Sequence, residues 1–149
     1  MAAGRRMKSS EFWKNFSLGE ELSISGTFIY NGVRGFHQLR KLDHADELFE
    51  VLYNLAVGFE RLLTIAVVLL EHKDSVDQEE FEKSLITHNH PDLLRRIKKH
   101  RKLSLAAQRN DFLGLLARFY KQVRYGRFEI NSVYDHNREQ NEKRWTLLM

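Results

Sequence analysis

The stretch Asp43–His72, DHADELFEVLYNLAVGFERLLTIAVVLLEH, decides the fold of this sequence. Its apolar residues recur at steps of three and four, which matches the helical repeat of about 3.6 residues. Asp43 or Asp46 can cap the first turn, because a carboxylate accepts hydrogen bonds from the free amides there. Towards Leu70 the stretch is apolar on nearly every side, so it predicts a central, buried helix.

The segment before this stretch, Ser17–Leu39, contains two competing patterns. Leu22 and Ile24 alternate with serines, as in a strand, whereas the apolar steps from Phe28 onward suit a helix. We predict a helix for the whole segment.

Two more helices are predicted after the central one. Pro91 suits the first position of a helix, where its missing N–H needs no partner. Asn89 or His90 would then lie near the cap of this helix. The next apolar repeat predicts a final helix over Leu105–Arg127, which Gly126 can end in a left-handed turn.

Composition points to one domain. The chain has 149 residues, 42% of them hydrophobic, which fits a single core. One proline leaves few obligatory breaks, and the lack of cysteine excludes disulfides and thiolate metal sites. We predict an all-α bundle of four to five helices, with Asp74–Glu80 as a polar connection and Phe81–Ile86 as a short turn. We expect residues 1–16 to form a flexible N-terminus, 17–128 the helical domain, and 129–149 a polar tail or the start of a further element.

The composition also predicts a cytoplasmic protein. The longest apolar run without a charge, Leu62–Leu70, is much shorter than the roughly 20 residues of a spanning helix. No apolar signal core follows the basic first residues, 1–10. The absence of cysteine fits a reducing compartment. We therefore expect no membrane segment.

A cluster of cations follows Pro91. The net charge of +4 leans mildly toward anionic partners. Closely spaced cations bind a phosphate backbone by releasing its counterions, so RNA is the sharper interpretation and a solvated helix face the plainer one. The candidate RNA-binding residues are Arg95, Arg96, Lys98, Lys99, Arg101 and Lys102.

Glu60 interrupts the most apolar part of the central helix. Burying an unpaired carboxylate is costly, so we expect Arg61, Arg109 or a histidine to pair with it. Such a pair would either fix the helix register or orient a catalytic group. His88 and His90 lie two residues apart, but no carboxylate–histidine pattern completes a metal site, and we expect no metal and no cofactor.

The order of these elements resembles the HEPN superfamily of helical bundles. A long apolar helix is followed by a proline-started basic helix and by a last helix that opens with Arg109 and Asn110 and ends near Arg124 and Tyr125. The resemblance covers roughly Asp43–Phe128. It implies RNA binding or RNA cleavage, often in toxin–antitoxin or antiviral systems, and homodimers in which each chain supplies half a site. Active members carry an arginine, four to six residues and a histidine, and they cleave without metal by attack of the 2′-hydroxyl on the adjacent phosphate.

The last helix contains the arginine of that signature but not the histidine. Gly114 stands where a four-residue spacing after Arg109 needs histidine. A second match, Arg95 and His100, lies in the basic helix, although a step of five residues turns a regular helix by about 140° beyond a full turn. The candidate catalytic residues are Arg109, Asn110, His100 and Arg95.

Three functions stay open on the sequence. The first is a HEPN-like domain, expected to be a homodimer, that binds RNA or a partner protein and has lost cleavage, which Gly114 favours. The second is an active ribonuclease that uses His88, His90 or His100 from another segment or protomer. The third is a helical interaction module without a nucleic-acid role, whose basic helix docks on an acidic protein surface. The first is the leading hypothesis.

Overall fold

The computed structural model describes residues 7–123, and within that range the chain is all-α. Helices account for 79% of these residues and no strand occurs among them. Five helices of at least eight residues confirm the predicted bundle of four to five helices, and a single helical turn of four residues precedes them. The helices are α1 (Ser9–Phe12), α2 (Leu18–Gln38), α3 (Ala45–Glu71), α4 (Gln78–Leu85), α5 (His90–His100) and α6 (Ala107–Arg118), with wider π-helical turns at Trp13–Ser17 and Phe119–Val123.

The segment Ser17–Leu39 is helical as predicted, including the strand-like pattern at Leu22 and Ile24. The helical region also begins earlier in the chain than predicted. α1 and the first π-helical turn run directly into α2, so part of the region assigned to a flexible N-terminus is helical from Ser9 onward. The cause is a contact distant in sequence. The Trp13 ring packs 5.2 Å from the ring of His72 at the end of α3, and Lys14 Nζ donates to the His72 carbonyl at 3.0 Å.

Side-chain caps set the starts of α4 and α5. Asn89 caps α5, since its side chain accepts from the Asp92 N–H at 3.3 Å, and Pro91 lies in the first turn as predicted. Asp77 caps α4 by accepting from the Glu80 N–H at 2.9 Å. α4 is therefore a helix of two turns that takes in part of the predicted connection, rather than a short turn alone.

The predicted final helix over Leu105–Arg127 begins two residues late, at Ala107. It passes into the π-helical turn that ends at Val123, the last residue of the described range. The predicted stop at Gly126 and the tail 129–149 lie outside the described residues.

α3 is the centre of the bundle, with α2 on one face and α5 and α6 on the other. Large side chains fill the face towards α5 and α6. Leu93 and Leu116 are fully buried there, and the ring of Phe49 meets that of Phe119 edge-on at 5.1 Å. Burying a side chain of this size stabilises the fold by about 1.5–3 kcal/mol.

Small residues form the contact between α2 and α3. A Cβ atom at Gly32 would stand 2.6 Å from the side chain of Leu55, and one at Gly58 would stand 2.9 Å from the backbone nitrogen of Ile29. Ser25 is fully buried between the helices and donates from Oγ to the Gly58 carbonyl at 2.8 Å. The two backbones therefore approach more closely than larger residues would allow.

α3 also has the length and composition of a helix that could cross a membrane, with a mean hydropathy of 1.6 over its most apolar 18 residues. These two properties are weak evidence, because the core helix of a soluble protein has them too. Half of that window is buried inside the fold.

Candidate nucleic-acid interface

The cations of α5 are divided between two sides of the helix. Leu93, Leu94 and Ile97 are buried and direct one face at the core. Residues four apart share a side of a helix, so Arg96 and His100 lie on one flank while Arg95 and Lys99 lie on another. The two sides have different partners.

The flank of Arg96 and His100 is tied to α3. Arg96 Nη2 lies 2.5 Å from Glu71 Oε2, and Arg96 Nη1 donates to the Ser84 carbonyl at 2.9 Å. His100 Nε2 is 3.6 Å from Glu71 Oε1. The hydrogen bond from Arg96 lowers the pKa of Glu71 by stabilising its charged form, although burial opposes this shift. Arg96, predicted to bind RNA, is thus neutralised by Glu71 and joins α5 to the ends of α3 and α4.

The other cations face solvent. Lys98, Lys99, Arg101 and Lys102 are exposed, and none of them forms an ion pair with a residue in the range 7–123. Arg95 pairs with Asp92 at 2.6 Å, but its side chain is 68% exposed. α5 ends at His100, and cations at a helix C-terminus are favoured by the negative end of the helix dipole. We define the basic surface as Arg95, Lys98, Lys99, Arg101 and Lys102.

The start of α6 lies at the same end of the bundle, since a loop of residues 101–106 joins it to the end of α5. Asn110 Nδ2 donates to the Leu105 carbonyl at 3.1 Å and fastens this loop to the first turn. Arg109 is exposed there and makes no ion pair with any described residue. A cation at a helix N-terminus opposes the dipole, so an anion bound beside Arg109 would relieve that repulsion.

The structure does not bring together the arginine and histidine of either candidate catalytic motif. Arg95 turns to Asp92 and His100 turns to Glu71, in keeping with the angular separation of residues five apart in a helix. Gly114 lies within α6, and nothing is found within 4 Å of the position of an added Cβ. Gly114 thus has room for a Cβ atom, but the position offers no imidazole.

A histidine does meet Glu60. His88 Nδ1 lies 2.8 Å from Glu60 Oε1, and Glu60 is only 15% exposed. The prediction that a histidine, Arg61 or Arg109 would pair with Glu60 is confirmed for histidine, whereas Arg61 pairs with Glu21 on α2. An ionised carboxylate only accepts, so Nδ1 is the donor in this contact, and in a neutral ring Nε2 is then the acceptor.

The backbone at His88 is strained. Its φ of 48° makes it the one non-glycine residue with positive φ within residues 7–123, a conformation that costs about 1–2 kcal/mol. The ring is held on a second side by Tyr120, at 4.9 Å between centroids. Two local signals pointed to this site, a carboxylate in an apolar run and a polar run before Pro91. Neither signal predicts the contact that joins them across 28 positions.

His90 is fully buried and serves the fold. Its Nε2 donates to the Ala56 carbonyl at 2.7 Å, while Nδ1 has no hydrogen-bond partner within residues 7–123. Burial lowers the pKa of His90, against opposing effects of the Ala56 carbonyl and of Glu60, which favours the neutral ring. No group of three or more histidine, aspartate or glutamate side chains that could hold a metal ion is found within the described range.

Comparison with known proteins places the chain in no group. No family model matches the chain, and no curated protein or solved structure matches it significantly.

Proposed function

We propose that this protein is an RNA-associated, HEPN-like helical domain that binds RNA through the basic surface and has lost cleavage. The observation that carries the proposal is a set of exposed cations at the end of α5 and just beyond it, none of which has a carboxylate partner among the described residues: Lys98, Lys99, Arg101 and Lys102. Clustered cations of this kind bind phosphates by releasing counterions. The resemblance to HEPN proteins adds a toxin–antitoxin or antiviral setting in the cytoplasm to the same proposal.

The neighbouring structure supports binding rather than cleavage. Arg109, at the start of α6, is a further exposed cation without an ion pair among the described residues, so an RNA strand that extends from the basic surface to Arg109 would contact both α5 and α6. Gly114 supplies no group that can move a proton. His100, the other candidate, is directed at Glu71.

The test is the salt dependence of binding to a single-stranded RNA. We compare the unmodified chain with the triple variant Lys98→Glu, Lys99→Glu, Arg101→Glu. Each phosphate contact of a single strand contributes about 0.7 to the slope of log affinity against log salt, so losing three contacts should lower that slope by about two. Affinity at low salt should fall as well.

A matched control carries the same change of charge elsewhere. The triple variant Arg40→Glu, Lys41→Glu, Lys73→Glu reverses three exposed cations that form no ion pair with a described residue. It should leave the slope unchanged. Equal losses in both variants, or none in the first, would rule out the basic surface as the binding site. Equal affinity for RNA and DNA of one sequence would instead favour a general polyanion site, such as one for an acidic protein.

Active cleavage is a second candidate, favoured by the pair of Glu60 and His88. With Nδ1 held by Glu60, Nε2 of His88 can accept the proton of a 2′-hydroxyl. The 2′-oxygen then bonds to the adjacent phosphorus and the bond from phosphorus to the 5′-oxygen breaks. The products are a 2′,3′-cyclic phosphate and a 5′-hydroxyl, which takes up a proton.

This candidate is tested by incubating mixed RNA with the protein and a chelator. His88→Ala and Glu60→Gln should then remove cleavage, with Arg109→Ala and His100→Ala compared in parallel. A loss restricted to Arg109→Ala or His100→Ala would move the chemistry to those residues. No cleavage by the unmodified chain would eliminate the candidate and leave the binding role.

A further inference from the structure

The loop that joins α5 to α6 presents an exposed serine next to the basic surface. Residues 102–106 have no regular secondary structure, and Ser104 is exposed among them. Neither the hydroxyl nor the backbone of Ser104 forms a hydrogen bond with any residue of the described range. The loop is held instead at Leu105, whose carbonyl accepts from Asn110. An exposed segment without backbone hydrogen bonds is accessible to a modifying enzyme, as loop tips are to proteases.

The residues before Ser104 are cationic. Arg101 lies three positions and Lys102 two positions before the serine, and both are exposed and without an ion pair among the residues described. An enzyme that modifies one serine among many selects it by the charges around it, and protein kinases use such charge patterns. An acidic substrate groove would therefore bind this segment and reject a serine with acidic neighbours.

The other hydroxyl side chains of loops are poorer substrates. Within residues 7–123, only Ser75 and Thr87 also lie outside helices. The Thr87 hydroxyl already accepts a backbone N–H at 3.2 Å. Ser75 is exposed, but carboxylates lie on both sides of it, at Asp74 and Asp77. Among these three hydroxyls, Ser104 is the one that combines exposure, the absence of a described partner and cations just before it.

We propose that Ser104 is a phosphorylation site, that a protein kinase with an acidic substrate groove modifies it, and that the phosphate weakens the binding of polyanions to the basic surface. In the reaction, Ser104 Oγ bonds to the γ-phosphorus of ATP and gives its proton to a base of the kinase. The bond from that phosphorus to the bridging oxygen breaks, and ADP leaves. The effect on RNA rests on the proposed function, whereas the modification itself does not.

A phosphate on Ser104 would change the basic surface in two ways. It carries a charge of about −1.5 to −2 at pH 7, so the five cations that define the surface would together keep a net charge of about +3. Its oxygens can also accept charge-assisted hydrogen bonds from Arg101 and Lys102, which gives these cations a partner within the chain. An incoming RNA strand would then meet fewer available cations and an added negative charge.

The first test incubates the full chain with ATP and a purified serine kinase that requires basic residues before its target, and it locates phosphate by mass spectrometry. Ser104 should carry the phosphate, whereas Ser75, the matched exposed serine with acidic neighbours, should carry none. Ser104→Ala should remove the modified peptide and keep the helical circular dichroism of the unmodified chain. Phosphate on Ser75 to the same extent as on Ser104, or on Ser9 of α1 but not on Ser104, would overturn the proposal.

The second test compares the unmodified and the phosphorylated chain on heparin, a polyanion without bases, and on single-stranded RNA. The phosphorylated chain should leave heparin at lower salt, and the slope of log RNA affinity against log salt should fall by about 1.4, the value for two phosphate contacts. Ser104→Glu should shift both quantities in the same direction by less, because glutamate carries a smaller charge than phosphate. Ser75→Glu, with the same change of charge at the other exposed loop, should shift neither.

The outcomes of this comparison separate the two proposals. Unchanged heparin elution after phosphorylation, or equal shifts from the two glutamate variants, would overturn the effect assigned to Ser104. RNA binding that is absent from the unmodified chain, while the heparin shift persists, would overturn the proposed function and support the change of charge at Ser104.

Discussion

The two faces of α2 both carry glycine, and the comparison shows two opposite uses of it. On the inner face Gly32 lies against Leu55, where a Cβ atom would have no space. On the outer face Gly19 and Gly26 have open space around them. The inner glycine serves a contact within the chain, and the outer ones serve none that the described chain makes. A helical glycine is thus informative only together with its surroundings.

The largest expected effect on stability comes from Gly58 on α3, which lies in the contact with the inner face of α2. A Cβ atom there would stand 2.9 Å from the backbone nitrogen of Ile29, so Gly58→Ala must push the two helices apart. We expect a loss of about 2–3 kcal/mol in the free energy of unfolding, as for an overpacked core. Urea denaturation measures it, with Gly114→Ala as the control because that position is open. An unchanged midpoint for Gly58→Ala would mean that α2 and α3 are not closely packed.

His90, which is buried on the side of α3 away from α2, is a second interior position whose effect on stability can be tested. Burial lowers the pKa of His90, so unfolding exposes a group that binds a proton more readily. Above about pH 6.5, the ordinary histidine pKa, His90 therefore causes no loss in the free energy of unfolding. Below that pH the free energy of unfolding falls as the pH drops toward the lowered pKa of His90. The slope from this residue is at most about 1.4 kcal/mol per pH unit.

The measurement for His90 is the urea midpoint between pH 7.5 and pH 5, values chosen to bracket the ordinary histidine pKa of about 6.5. His90→Gln keeps a donor for the Ala56 carbonyl and should flatten the profile. His37 on α2 is exposed, so His37→Gln should leave the profile as it is. The assignment fails if both variants flatten the profile to the same extent.

The parts of the fold that could be predicted from sequence are those set by neighbours along the chain. The period of α3, the cap at Asn89 and the need of Glu60 for a partner are local patterns, and each is present in the structure. The pairing of Arg96 with Glu71 is not local, because 25 positions separate them. For this reason the sequence alone led to the prediction that Arg96 binds RNA.

The same reason explains what was missed on α2. The helix starts at Ser9 because Trp13 reaches the end of α3, 59 positions away, and no pattern within residues 1–16 contains that contact. The difference between Gly32 and Gly26 also depends on where α3 lies. Periodicity could identify α2 as a helix but could not say which of its faces was covered.

Ser25 tests the inner face by a smaller change. Its Oγ donates to the Gly58 carbonyl at 2.8 Å in a fully buried position. Ser25→Ala removes this hydrogen bond without a clash, and we expect a loss of about 1 kcal/mol. Ser23→Ala is a suitable control, since Ser23 is exposed and bonds within its own helix. If both variants lost the same stability, helix propensity rather than the contact with Gly58 would be the cause.

Gly26→Ala should change the free energy of unfolding least, and the change should be a gain rather than a loss. Alanine is a better helix former than glycine by about 0.8–1 kcal/mol, and no atom of the described part of the chain lies within 4 Å of the new methyl group, so the free energy of unfolding should rise by up to that amount. Urea unfolding measures the gain. A loss would mean that the outer face of α2 is packed within the chain itself.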